Sequence, residues 1–405
     1  MRQLVALIAL ILLVLTYGIS LSLRDPAVIP ESFDAVNHPG FYDYRGALNV
    51  QSELSTGFLP AAKIIQTAQD KKVDFVIFNE LNRFLPGGVI EGWQRQTLVL
   101  SGGKYGYLDA NLLSLAPERL SAAESLGQAQ TVIADLLSNV GPNAQLRESI
   151  SDVLILSRDS LSSGVSGNSP ALGVEVVNVH QWLTQFANSD RLSFLWSALI
   201  FPFNPDLAIL RSFADFDTSF SDWDRRSALQ PTFGILGLDA GSPFPVFGFG
   251  AALPSYDALF RAASTHILLR SELTGEFASD RRKVLKALYA GQSYFAIDSL
   301  GPTKGFAAWA DDSGTVRALG SRFRLGESAR ILVRLPRKPE VAFETVILRD
   351  GASIMTSNST ETEFRVHQPG VYRIVVRLFT SLSVLDGGRW LPWIMTNPIV
   401  ITPRS

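Results

Sequence analysis

A run of uncharged residues at the amino terminus limits how this chain can fold more than any other feature. The run extends from Leu4 to Leu23, between Arg2 and Arg24, and a helix of about 20 apolar residues crosses a hydrocarbon core of about 30 Å. No polar face interrupts it, which disfavours a buried helix of a soluble domain. A cleaved signal peptide is the other alternative, but "TYGISLSLRD" has no good small-x-small cleavage site.

We therefore predict that residues 1–25 hold a transmembrane anchor rather than a cleaved signal. The membrane is then a partner of the chain through this helix. The remaining domains are expected outside the cytoplasm, on the periplasmic side in a bacterium. If the segment were cleaved, the protein would be secreted.

Composition excludes several kinds of site. The 405 residues are 46% hydrophobic, which is enough for two or three domains with real cores. The chain has no cysteine, so disulfides, thiolate nucleophiles and zinc–thiolate sites are excluded. Its 4 histidines, His38, His180, His266 and His367, are scattered singly, and an imidazole-rich metal site is hard to build from them. A formal net charge of −2 gives no basic surface, so no nucleic-acid partner is expected.

Short apolar strands alternate with amphipathic helices through the middle of the chain. After a linker over residues 26–41, the segments "GALNV", "LPAAKIIQTAQDKK" and "VDFVIFN" predict strand, helix and strand. Similar units continue to residue 300, and this order is typical of a βα barrel whose site lies at the strand ends. Residues 301–405 instead show alternating strands separated by turns, which predicts a small antiparallel β-sandwich.

The polar strand ends follow the order of a known family. The chain contains, in succession, "NVQSELSTG", "NELN", "GGK", "DANLL", "LILSRD", "GVEVVN" and "GLDAG". On these motifs residues 42–300 resemble the PHP (polymerase and histidinol phosphatase) superfamily, whose members are distorted βα barrels that use metal ions to hydrolyse phosphoesters. The resemblance implies an α/β fold with a distorted PHP-like (β/α)7 barrel. It also implies a site at Asn49, Gln51, Asn79, Glu80, Leu81, Lys104, Asn111, Ser157, Glu175, Asp239 and Gly241.

The histidine ligands that the resemblance leads one to expect are all replaced. The replacing residues are Asn49, Gln51, Leu81, Asn111, Ser157 and Gly241. Three acids remain, Glu80, Glu175 and Asp239, and Lys104 stands where the family has a glutamate. Amide and aliphatic side chains are poor ligands for zinc, iron or manganese, and an ammonium group opposes the binding of a dication.

Lys104 leads to the central hypothesis about the site. Without metal ions, Glu80, Glu175 and Asp239 would repel one another, because adjacent carboxylates raise one another's pKa and destabilise the fold. The Lys104 ammonium would supply the missing positive charge. The amides that would complete a hydrogen-bonded network around it are Asn49, Gln51, Asn79 and Asn111.

This interpretation makes the protein a membrane-anchored pseudoenzyme. Its metal-free polar pocket would bind an unidentified ligand or protein partner, and no cofactor is expected. One alternative keeps phosphoesterase activity, either through Mg²⁺ or Ca²⁺ held by amide oxygens and by Glu80, Glu175, Asp239 and Asp109, or with histidines supplied by a partner. In another, these positions are solvated strand ends without a role. In a third, the sandwich mediates assembly of an envelope protein.

One interpretation of the aromatic segment "LSFLWSALIFPFNPDLAIL" is contact with the membrane. Prolines interrupt the run well short of a span, and the simpler interpretation is a covering loop or part of the core.

Overall fold

A computed structural model describes most of the chain. The described residues are 2–28, 40–83, 90–107, 110–115, 153–157, 173–242, 244–246, 249–251, 253–382 and 387–404. The α-helices are α1 (Arg2–Ser22), α2 (Ala61–Asp70), α3 (Val179–Ser189), α4 (Arg191–Ile200), α5 (Pro205–Leu210), α6 (Ser221–Leu229), α7 (Tyr256–Ala262) and α8 (Phe277–Tyr289). Short 3₁₀ turns cover Arg211–Asp215 and Asp298–Leu300.

The strands fall into a first set up to residue 300 and a second set beyond it. The first set is β1 (Tyr42–Val50), β2 (Phe75–Leu81), β3 (Gly92–Gln94), β4 (Thr97–Tyr107), β5 (Ala110–Leu115), β6 (Val153–Ser157), β7 (Gly173–Asn178), β8 (Phe233–Gly237), β9 (Phe244–Val246), β10 (Phe249–Ala251), β11 (Ser264–Leu269) and β12 (Ser293–Ala296). The second set is β13 (Ala307–Asp312), β14 (Thr315–Ala318), β15 (Arg322–Arg324), β16 (Arg330–Arg334), β17 (Ala342–Arg349), β18 (Ala352–Ser357), β19 (Glu361–Arg365), β20 (Gly370–Ser381), β21 (Gly388–Thr396) and β22 (Ile399–Thr402).

The largest sheet is mixed rather than parallel. Its order is β15, β22, β20, β21, β12, β11, β1, β2, β4, β5, β6, β7, β8. The pairs β1–β2, β2–β4, β6–β7 and β7–β8 are parallel, whereas β4–β5 and β5–β6 are antiparallel. Antiparallel neighbours can be joined by a short hairpin, whereas parallel ones need a crossover. The fold is therefore mixed α/β and rich in strands.

The predicted (β/α)7 barrel is not shown in the described residues. The prediction placed a strand end at "GGK", but β4 continues through Gly102 and Gly103 to Tyr107 and pairs in a hairpin with β5. A repeated βα unit would have returned a parallel strand at this point. Glycine inside a strand often marks the close approach of another backbone, and here the carbonyl oxygen of Ser114 lies only 2.5 Å from where a Cβ on Gly102 would stand.

The last strand of the parallel run returns to the first. The Leu238 N–H donates to the Leu48 carbonyl (2.9 Å) and the Ala240 N–H to the Asn49 carbonyl (3.1 Å). Val50 and Ala240 form an isolated parallel bridge. Residues 49–51 and 239–241, which are remote in sequence, are thereby held side by side.

Strands beyond residue 300 extend the same sheet. β12 pairs antiparallel with β21, with Tyr294 opposite Thr396, and β21 pairs in turn with β20. A separate four-stranded sheet has the order β14, β13, β16, β19. The strands of this region pair antiparallel, as predicted, apart from the parallel pair β15–β22, but the predicted β-sandwich is not confirmed. The domain boundary at residue 300 stays a prediction.

Helix α1 differs from the rest of the chain in its exposure. Most of its leucines and isoleucines from Leu4 to Leu15 are between 44% and 66% exposed, whereas the amphipathic α2 buries Ala61 and Ile64 against the core, as its spacing predicts. Within the described part of the chain, α1 is the helix that is long and apolar enough to cross a membrane. The length and composition of α1 therefore suit a membrane anchor or a signal sequence.

Candidate functional site

The end of β1 places two polar side chains in the interior. Asn49 and Gln51 are both fully buried, and the pairing of β1 with β2 shifts register between Ala47 and Val50. Asn49 adopts a left-handed backbone with a φ of 58°, which asparagine tolerates better than most residues. Such irregularities redirect side chains at strand ends, and here they aim the Asn49 amide towards β7.

An ion pair occupies the space between β4 and the loop after β8. The Lys104 Nζ lies 2.6 Å from the Asp239 Oδ1, and the two residues are only 9% and 7% exposed. The Ser242 Oγ also donates to the Asp239 Oδ1 at 2.9 Å. Burial by itself would raise the pKa of Asp239, but the charge and hydrogen bond of Lys104 outweigh it and hold that pKa below its ordinary value.

Glu175 on β7 receives amide donors instead of a cation. The Asn49 Nδ2 donates to its Oε1 (2.7 Å), and the Asn178 Nδ2 donates to its Oε2 (3.0 Å). Gly237 makes room for the carboxylate, because a Cβ there would stand 1.8 Å from the Oε1. Burial first, and then repulsion from Asp239, raise the pKa of Glu175 to about 7. The more distant Lys104 charge and the two amides offset this only partly.

Gln51 connects the two carboxylates. Its Nε2 donates to the Asn49 Oδ1 at 2.6 Å and to the Asp239 Oδ1 at 3.1 Å. The Gln51 Oε1 is buried and has no hydrogen-bond partner among the described residues. Its backbone carbonyl accepts from the Tyr256 hydroxyl at 2.6 Å, and this bond fixes the strand end against α7.

Asn178 also belongs to the site, although it is not among the residues predicted from the sequence. In addition to its bond with Glu175, its Nδ2 approaches the Asp239 Oδ2 at 3.4 Å. Its Oδ1 caps α3 by accepting from the Gln181 N–H. The signal was present, since Asn178 ends the same "GVEVVN" motif that contains Glu175.

Glu80 and Asn79 are directed to other partners. The Glu80 carboxylate accepts from the Ser52 N–H (2.9 Å) and the Ser55 hydroxyl. Burial raises its pKa, which these serines offset only partly. The Asn79 amide accepts from the Asn49 N–H and donates to carbonyls of β4 and β5. Glu80 is thus hydrogen-bonded within the 52–55 turn, whereas Glu175 and Asp239 share a network.

The remaining predicted positions add no described side-chain hydrogen bond to the Glu175–Asp239 network. Leu81 pairs through its backbone with Lys104. Asn111 and Ser157 lie on β5 and β6, and their side chains and Asp109 are outside the described part of the chain. Gly241 has a φ of 107°, and a Cβ there would stand 2.6 Å from both the Gln51 carbonyl oxygen and the Tyr256 hydroxyl oxygen. The site as folded therefore excludes the histidine that the family resemblance leads one to expect at this position.

The donor set does not fit the metal ions used by PHP proteins. Those ions require imidazole nitrogens and carboxylates at about 2.0–2.2 Å. Here the Asp239 Oδ1 faces an ammonium group, and each Glu175 oxygen faces an amide N–H. No group of three or more His, Asp or Glu side chains in the described residues is arranged to hold a metal ion.

Comparison with known proteins gives a distant neighbour. No protein-family model matches the chain, and no curated protein matches it. Among solved structures, a two-domain protein from Bacteroides vulgatus, described as containing a predicted PHP-like metal-dependent phosphoesterase, aligns with 90% of this chain and 98% of its own. The TM-score is 0.37 and the sequence identity is 9%. This chain therefore has a distant PHP-like structural neighbour.

Proposed function

We propose that this chain is a membrane-anchored, PHP-like protein without hydrolytic activity, whose metal-free polar site binds a ligand or a protein partner. The anchor is α1, with the domains outside the cytoplasm. The observation that carries the proposal is the Lys104–Asp239 ion pair, with 2.6 Å between the Lys104 Nζ and the Asp239 Oδ1. In this arrangement, the lysine supplies the positive charge that a metal ion would otherwise bring to the acids.

Electrostatics explain why a lysine can serve in this way. Two carboxylates in one buried site repel each other, and either a cation or a proton relieves the repulsion. Lys104 neutralises Asp239, and the pKa of Glu175 at about 7 means that a proton neutralises Glu175 in about half of the molecules at pH 7 and in most of them at lower pH. The site is therefore close to charge balance without a dication.

The amides complete the site by aligning the carboxylates. Asn49 and Gln51 link Glu175 to Asp239 through successive hydrogen bonds, and a satisfied buried network is rigid. The Gln51 Oε1 is the exception, because it is buried and has no hydrogen-bond partner in the part of the chain that the structure describes. A ligand that offers an N–H or O–H donor would satisfy it, and this favours a polar ligand over an apolar one.

A second candidate is a phosphoesterase that binds an oxygen-ligated cation. The observation that favours it is the repulsion between Glu175 and Asp239, which a hard cation such as Mg²⁺ or Ca²⁺ would relieve. Lys104 opposes this candidate, because an ammonium group already occupies the Asp239 Oδ1. Binding of the cation would have to displace Lys104.

Metal content and turnover separate the two candidates. The purified full-length protein in detergent is assayed for bound metals and for hydrolysis of a phosphodiester, with Mg²⁺, Ca²⁺, Mn²⁺ or Zn²⁺ added. The proposal predicts no stoichiometric metal and no turnover above that of Asp239→Ala. Turnover that needs an added metal and is lost in Asp239→Ala would establish the second candidate instead.

A further inference from the structure

Helix α4 presents an apolar face to the outside of the protein. Leu192, Leu195 and Leu199 are 82%, 51% and 42% exposed, and their spacing of three and four residues places them on one side of the helix. The sequence has no charged residue from Leu192 to Phe203. Soluble proteins seldom leave such a contiguous face uncovered, and an exposed patch of this kind marks an interaction surface.

The same helix packs on α1 at the edge of this apolar face, because Trp196 lies one turn from Leu192 and from Leu199. The Trp196 and Tyr17 rings lie 5.5 Å apart between centroids. Phe203, just beyond α4, packs against Gly18, where a Cβ would stand 2.5 Å from its ring. The buried Asn204 donates to the carbonyls of Leu21 and Arg24 at 2.9 Å each. The last turns of α1 are thereby fixed to the body of the protein beside α4.

The length of α1 determines how deep this contact must lie. If α1 spans the bilayer, the free part from Leu4 to Thr16 supplies 13 residues, or about 20 Å of helix. A hydrocarbon core is about 30 Å thick. The segment from Tyr17 to Leu23 must therefore complete the span, and the groups packed on Tyr17 and Gly18 enter the outer part of the bilayer with it.

We infer that α4 lies in the membrane interface, with Leu192, Leu195 and Leu199 inserted among the lipids beside the anchor. The occupant of this face is thus the lipid bilayer. The inference rests on the anchor in the proposed function, with which the face is continuous through the Trp196–Tyr17 contact. An amphipathic helix of this kind buries its apolar face about 5–10 Å deep, which matches the missing part of the span. Tyrosine and tryptophan are also the residues favoured at this depth.

Depth measurements with spin labels test the inference in the full-length protein. The chain has no cysteine, so Leu195→Cys carries a single nitroxide after reconstitution in phosphatidylcholine vesicles. Leu229→Cys on α6 is the matched control, because Leu229 is 84% exposed and lies on a different helix. We expect the label at 195 to collide more often with oxygen than with a water-soluble nickel complex, and the label at 229 to show the reverse ratio.

A third label separates this inference from the anchor. Leu10→Cys reports on α1 itself, where Leu10 is 56% exposed. A label at 10 in lipid with a label at 195 in water would overturn the membrane contact of α4 and leave the anchor standing. Labels at 10 and 195 both in water would overturn the anchor as well. A label at 195 shielded from both reagents would indicate a protein contact and would also overturn the inference.

Discussion

Two buried clusters of charged side chains lie at opposite ends of β1, and they balance their charges differently. The carboxyl-end cluster consists of Asn49, Gln51, Lys104, Glu175, Asn178 and Asp239. The amino-end cluster consists of Asp43, Arg45, His266, Tyr294 and Asp298. About 20 Å of strand separates Asp43 from Asn49, and both clusters are mostly buried.

Each acid of the amino-end cluster has its own cation. The His266 Nδ1 lies 2.7 Å from the Asp43 Oδ1, and the Arg45 Nη2 lies 3.0 Å from the Asp298 Oδ2. The Tyr294 hydroxyl also donates to Asp43. Burial alone would lower the pKa of His266, but Asp43 and Asp298 outweigh it and raise that pKa to about 9. His266 is therefore charged at neutral pH, and the cluster is balanced.

In the carboxyl-end cluster, the positive charge is concentrated on one of two acids, since Lys104 and, more weakly, His180 lower the pKa of Asp239. Lys104 pairs with Asp239, whereas the hydrogen-bond donors to Glu175 among the described residues are amides, and burial followed by repulsion from Asp239 raises the pKa of Glu175 to about 7. The comparison teaches that burial alone does not set the direction of a pKa shift. The charges within reach of each group decide it, since His266 beside two acids and Glu175 beside Asp239 both hold a proton more tightly than they would in water.

The largest expected effect follows from removing His266. His266→Ala removes the imidazolium that lies against the buried Asp43, and the loss of one partner of a buried ion pair costs about 3–5 kcal/mol of unfolding free energy. The pKa of His266 is raised from 6.5 to about 9. The contribution of the His266–Asp43 pair to the free energy of unfolding is therefore complete below pH 6.5 and disappears as the pH rises through about 9. Chemical denaturation across that range measures it, with the exposed His367→Ala as control. Equal losses in the two variants would contradict the balanced-pair account.

Lys104→Met should have the next largest effect. It leaves Asp239 and Glu175 to repel each other in the interior, and we expect a loss of about 3 kcal/mol at pH 8. At pH 5 the loss should be smaller, because protonation of Glu175 removes part of the repulsion. The exposed Lys338→Met is the matched control in the same urea denaturation series. A loss that does not change with pH would indicate that Lys104 acts only through packing.

Glu175→Gln should raise stability at alkaline pH. The pKa of Glu175 is raised from 4.5 to about 7, so its favourable contribution is complete below pH 4.5 and is lost as the pH rises through about 7. Glutamine cannot ionise, although its amide accepts well from only one of Asn49 and Asn178. We expect a relative gain of about 1–2 kcal/mol between pH 5 and pH 8, measured by thermal unfolding. A parallel pH dependence in the wild type and the variant would refute the proposed protonation.

Removal of an exposed ion pair should cause the smallest loss of unfolding free energy among these variants. Arg225 and Asp222 on α6 are 3.3 Å apart, with side chains 75% and 63% exposed. Removal of such a pair costs at most about 0.5 kcal/mol and less in high salt. Arg225→Ala should therefore unfold within about that margin of the wild type. A loss comparable to that of Lys104→Met would show that burial is not what separates the pairs.

The sequence predicted the chemistry of the carboxyl-end cluster better than its geometry. A lysine among strand-end acids suggested an ion pair, and Lys104 and Asp239 do meet. Glu80 was expected to face the other acids, yet the turn after β1 places Ser52 and Ser55 on its carboxylate. Turn geometry of this kind depends on backbone angles that no motif specifies.

The amino-end cluster could not be predicted from local patterns. Asp43 and His266 are 223 residues apart and belong to no ligand motif. Only the antiparallel register of β1 and β11, with Arg45 opposite His266, brings them together. The strand end predicted at "GGK" failed for a related reason, because pairing with β5 extends β4 through two glycines. Long-range pairing decided both cases.

Titration of Mn²⁺ into the wild type and into Lys104→Glu, followed by calorimetry, tests whether Lys104 stands in for a metal ion. We expect no heat of binding for the wild type, because Lys104 occupies the Asp239 carboxylate. We expect measurable Mn²⁺ affinity and lower stability in Lys104→Glu, which would place three carboxylates in the site; Lys104→Gln serves if the glutamate variant does not fold, with a smaller gain in affinity. Stoichiometric binding to the wild type, or a variant unchanged in both stability and metal affinity, would contradict the claim that Lys104 stands in for a metal ion.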